Sequence, residues 1–104
     1  MRQFMIGYTF ALDPEAQAAW HRRVAEFIEE LGADPDLAGR IRYRCMKAKQ
    51  GAAYYHLAEP ADEEAIRVLN TRAYFKEYTA ETKRVGGSSV FVTELDLLAD
   101  SAAG

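Results

Sequence analysis

The chain has 104 residues, 49% hydrophobic and 28% charged, which are the proportions of one compact globular domain and argue against a disordered segment. Thirteen Lys and Arg against sixteen Asp and Glu leave a formal charge of −3, which argues against a nucleic-acid partner. The single cysteine, Cys45, excludes an internal disulfide framework and suits a reducing, cytoplasmic compartment. No apolar run approaches the ~18 residues of a membrane span, so no membrane partner is expected. Gly7, Tyr8 and Thr9 interrupt the apolar N-terminal stretch and no small-residue cleavage site follows, so no secretory leader is expected either.

Residues 1–104 read as a single domain without repeats. Residues 3–12 are rich in aromatic and β-branched types and predict a strand that ends at the turn signal Asp13-Pro14. Asp13 is placed to cap a helix whose first position suits Pro14. Along it Ala16, Trp20, Val24, Phe27, Ile28 and Leu31 recur at helical spacing until Gly32. After a loop, residues 40–48 and 53–59 predict two strands around a turn at Gln50-Gly51. Residues 62–85 predict a second helix, capped by Asp62, with Ala65, Leu69, Ala73, Tyr74, Tyr78 and Val85 as its apolar stripe and Gly86-Gly87 as its stop. Residues 89–97 alternate as a last strand, and the small polar tail beyond them is expected to fray. The order β-α-β-β-α-β with right-handed crossovers is the ferredoxin-like α+β plan: a four-stranded antiparallel sheet with two helices on one face. The other face is left bare, which predicts a partner, most simply a second copy of the chain.

A two- or four-residue turn centred on Gln50-Gly51 sets each residue i of the central hairpin opposite residue 101 − i. That places Ile41, Tyr43, Cys45, Tyr54 and His56 under the helices, where Phe4, Ile6, Tyr8 and Phe10 should join them, as should Phe91 and Leu95. The bare face is then expected to carry Met5, Gly7, Thr9, Arg42, Arg44, Tyr55, Leu57, Val90, Val92, Glu94 and Asp96. On that basis Arg42 or Arg44 should meet Glu94 or Asp96 of a second copy, with Glu59 as the competing partner within the chain.

His56 is the only histidine on a predicted strand and has the intrinsic pKa of a general acid or base, which makes it the candidate catalytic residue. Tyr8, Trp20, Tyr43, Tyr54, Tyr74 and Tyr78 are the candidate substrate-binding residues, an aromatic lining with hydroxyl donors. The bland alternative is a half-buried histidine in an ordinary aromatic core, and a sealed space around His56 would favour it. Cys45 faces His56, but a mid-strand thiol beneath helices is poorly placed as a nucleophile. His21 reads as a boundary residue. Two histidines 35 positions apart and one cysteine assemble no metal site. There is no glycine-rich phosphate loop. The basic run Arg40, Arg42, Arg44, Lys47 and Lys49 is expected to pair with acids or an anionic ligand.

The segments "GRIRYRCMKA", "AAYYHLAEPADEEAI", "TRAYFKEYTAETKRV" and "VFVTELDLL" resemble the antibiotic biosynthesis monooxygenase domains of the dimeric α+β barrel superfamily. Glu63-Glu64-Ala65 matches the acidic start of the family's second helix, and Phe75 and Tyr78 its later aromatic pair. Ala58-Glu59-Pro60 stands where the family often has Glu-Arg-Trp. Leu69 and Tyr74 stand where it has histidines, and Leu69 speaks against haem. The resemblance implies a homodimer packed through its sheet faces, with a small pocket between sheet and helices in each subunit. It also implies oxidation of phenolic or quinol-like substrates by O₂ with no metal or flavin cofactor. The alternatives are a non-catalytic homodimer that binds a small aromatic molecule or serves as an accessory subunit, and a related cyclase or isomerase.

Overall fold

The computed structural model describes residues 2–10 and 13–102. Strands β1 (Arg2–Thr9), β2 (Ile41–Lys47), β3 (Ala53–Pro60) and β4 (Phe91–Asp96) form one antiparallel sheet in the order β2-β3-β1-β4. Helices α1 (Pro14–Ala33), α2 (Glu63–Asn70) and α3 (Ala73–Gly86) bury their apolar sides against one face of it. This is the ferredoxin-like α+β architecture. Ala11 and Leu12, expected to prolong β1, lie outside the described residues, as do the last two residues of the tail. No helix among the described residues is long and apolar enough to cross a membrane.

The caps act as the sequence predicts. Asp13 accepts a hydrogen bond from the Ala16 amide at 2.8 Å, and Asp62 accepts one from the Ala65 amide at 2.8 Å. Trp20, Val24, Phe27 and Leu31 form the buried stripe of α1, while Ile28, expected among them, is exposed. The hairpin register is also as expected: Cys45 pairs with His56, Tyr43 with Ala58 and Lys47 with Tyr54.

The expected helix over 62–85 is two helices. Its break at Thr71–Arg72 has local and long-range causes. The Thr71 hydroxyl donates back to the Val68 carbonyl at 2.6 Å, competing with helical bonding. Arg72 is extended (φ −81°, ψ 127°), and its guanidinium reaches both Asp34 and Asp36 at the end of α1. Because the break shifts the helical phase, Ala73 is exposed and Thr82 joins Tyr78 in the buried row.

The faces of β4 are the reverse of those expected. Gly7 pairs with Phe91 and Ile6 with Val92, so Phe91 and Leu95 lie on the bare face and Val92, Glu94 and Asp96 on the helix side. A Cβ on Gly7 would stand 2.3 Å from the Phe91 ring, so the missing side chain of Gly7 gives that ring its place. Residue size suggests that phenylalanine belongs inside, but pairing with β1 decides the parity. Glu94 therefore bonds Arg2 of its own chain, and Glu94 and Asp96 lie on the wrong side of the sheet for the expected cross-subunit pairing with Arg42 or Arg44. Arg44 instead bonds Glu59, and Arg40 bonds Asp62 at 2.8 Å.

Candidate functional site

Alternation along β1, β2 and β3 delivers Tyr8, Tyr43 and His56 to the same side of the sheet, and the buried rows of α1 and α3 lower Trp20 and Tyr78 onto them. His56 is fully buried, at 0% exposure. Its Nε2 lies 2.7 Å from the Tyr8 hydroxyl, which accepts the Trp20 indole N–H at 2.7 Å. Its Nδ1 lies 2.5 Å from the Tyr43 hydroxyl and 3.0 Å from that of Tyr78, and these two hydroxyls are 3.0 Å apart. Trp20 stacks on Tyr78, which stacks on Phe27, so the rings are fixed from above as well.

Burial sets the protonation states. It draws the His56 pKa down to about 4, so the ring is neutral at neutral pH. It drives the hydroxyls of Tyr8, Tyr43 and Tyr78 upward, so all three keep their protons. It pushes the Cys45 thiol up to about 11; Cys45 is His56's cross-strand partner, yet both ring nitrogens are already held by tyrosines.

Beside this cluster a cavity of about 350 Å³ opens between the sheet and α2–α3. Phe4, Ile6, Leu69, Phe75, Val90 and Val92 supply much of its apolar wall, with Arg2 and Lys83 among its charged lining. Tyr43 and Tyr78 line it, whereas His56, Tyr8 and Trp20 stand behind them. The remaining two candidates point elsewhere. Tyr54 stacks on Tyr8 but shares its hydroxyl with His21 at 2.7 Å, and Tyr74 donates to Asp34 at 2.8 Å. The strand-side wall of Phe4 and Ile6 belongs to the row that the sequence places under the helices. Val90 and Val92 were hidden by the inverted parity of β4.

No family model matches this sequence, and no curated protein matches it. Among solved structures, SnoaB, a cofactor-independent oxygenase from Streptomyces nogalater, superposes with a TM-score of 0.75 at 13% identity, over 97% of this chain and 96% of its own. The chain shares its fold. An antibiotic biosynthesis monooxygenase gives 0.72 at 14% identity over 95% and 100% of the two chains. A dimeric ferredoxin-like protein of unknown function from Jannaschia sp. CCS1 gives 0.68 at 13% identity over 93% and 100%. The ferredoxin-like fold implied by the sequence resemblance is thus shared along nearly the whole chain.

Proposed function

We propose that this chain is a homodimeric, cofactor-independent monooxygenase that takes a small phenolic or quinol-like aromatic substrate into the cavity between the sheet and α2–α3. The observation that carries this reading is the cavity wall: apolar over most of its area and lined by Tyr43 and Tyr78, whose hydroxyls bond each other and His56. A methylene activated by flanking phenolic rings can react with O₂ to give a carbonyl and water. One oxygen atom enters the carbonyl, and the other leaves with the two hydrogens. Proton loss from carbon, to a solvent base at the open mouth of the cavity, comes first and puts negative charge on a ring oxygen. A fixed donor at that oxygen stabilises the charge, and apolar walls keep water from the reactive intermediate. The tyrosine pair supplies the donor. His56 acts through it, because neither ring nitrogen has a free position.

The test is oxygen uptake with a panel of quinols and anthrone-like phenols, wild type against His56→Asn, after thermal melts show that both are folded. Uptake in the variant should fall about 10²-fold, mainly in kcat. Full retention would remove His56 from the mechanism. No uptake by the wild type from any substrate would favour a ligand-binding protein without turnover, a reading supported by the sealing of His56 behind its tyrosines. The homodimer is supported by the bare face, where Met46, Tyr55 and Phe91 are exposed large apolar residues, at 46%, 40% and 49%.

A further inference from the structure

The buried network can be counted proton by proton. The Trp20 indole only donates, each tyrosine hydroxyl has one proton, and a neutral imidazole has one N–H and one lone pair. Suppose the proton sits on Nε2. Tyr8 would then accept from both Trp20 and His56, and its own proton would have no acceptor among the described residues; Tyr8 is as buried as Tyr78 but, unlike Tyr78, does not line the cavity. That arrangement costs the full desolvation of an unmade hydrogen bond. With the proton on Nδ1, Tyr8 donates to Nε2 and Nδ1–H donates to a tyrosine oxygen. Tyr43 and Tyr78 then hold two protons but have only their mutual contact in which to use them. One is left over, on a residue that lines the cavity.

We infer that Tyr8 fixes His56 as the Nδ1–H tautomer, so that the Tyr43–Tyr78 pair offers one hydroxyl proton to an acceptor oxygen, a carbonyl or phenolate, on the molecule that fills the cavity. This deepens the reading of the cavity as a substrate site and rests on it only for the identity of the space. Tyr8 is a positioning residue, distant from the ligand by one ring. The count also implies redundancy. With Tyr43 gone, Nδ1–H bonds Tyr78 and the Tyr78 proton is free; with Tyr78 gone, the Tyr43 proton is free.

Two measurements test this without turnover, so their outcome stands apart from that of oxygen uptake. Long-range proton–nitrogen NMR correlations on nitrogen-labelled protein at neutral pH should show His56 protonated at Nδ1; protonation at Nε2 overturns the inference. Calorimetric titration with anthraquinone-2-sulfonate and anthracene-2-sulfonate compares one ring frame with and without carbonyl acceptors. Wild type should prefer the quinone by about tenfold. Tyr43→Phe and Tyr78→Phe should each keep that preference within about threefold, and the double variant should lose it. Equal affinities in wild type, or loss of the preference in either single variant, overturn the inference. If the double variant does not fold, the tautomer and the single variants decide the matter.

Discussion

At the scale of single residues, the cost of burying His56 is readable in acid. Its pKa is about 4 in the folded chain against an ordinary 6.5, so below pH 6.5 the unfolded chain binds a proton that the folded one refuses. The stability gained by keeping the ring neutral is complete above pH 6.5 and lost as pH falls towards 4, on the order of 3 kcal/mol in all. Urea midpoints of the wild type should therefore drop through this window, and those of His56→Gln should stay nearly level. Much of the site is legible in the sequence at this scale, because alternation along a strand fixes the side on which Tyr8, Tyr43 and His56 emerge. The same rule says nothing about where a long ring ends. Tyr54 and Tyr74 have the right periodicity, but their hydroxyls are claimed by His21 and Asp34, neighbours that no spacing announces.

At the scale of elements, the joint between α2 and α3 depends on Asp34. This carboxylate accepts from both Arg72 and Tyr74, and the Arg72 guanidinium holds its pKa down at about 2. The stabilisation is present above the ordinary carboxylate range and disappears as pH falls from about 4 towards 2, below the window of His56. Asp34→Asn should melt lower at neutral pH and show a shallower loss of stability between pH 4 and 2, as followed by circular dichroism. The central hairpin could be registered from the sequence because its strands are joined by a short turn, which ties each residue to its partner. The helix break and the facing of β4 could not. One depends on Arg72 finding a carboxylate 38 residues earlier, the other on Gly7 making room for a phenylalanine 84 residues later.

At the scale of the molecule, the bare sheet face is the feature that supports the proposed dimer. Met5, Tyr55, Leu57 and Phe91 share that face, and Arg44 Nε, on the same side, is buried with no acceptor among the described residues. A second copy laid over this face would remove the patch from water, the arrangement proposed above for the functional protein. Phe91→Lys sets a charge on that face while leaving the cavity wall of Val90 and Val92 in place. Multi-angle light scattering at micromolar concentration should give about twice the 11.7 kDa chain mass for wild type and one chain mass for the variant. A wild-type protein that runs as a monomer would reject the dimer.

The short 3₁₀ turn Gly87–Ser89 between α3 and β4 counts residues. Ahead of it Gly86 is wedged so tightly that an added Cβ would lie 2.7 Å from that of Tyr8, which anchors the start of the count to the His56 network. Removing or inserting one residue in this turn would exchange the two rows of β4, swinging the Phe91 ring inward and the valines outward. The chamber would close without any change to its lining residues on the other elements. The length of one small turn thus bears on the size of the chamber, and an insertion or deletion there would alter it more abruptly than most substitutions in the wall.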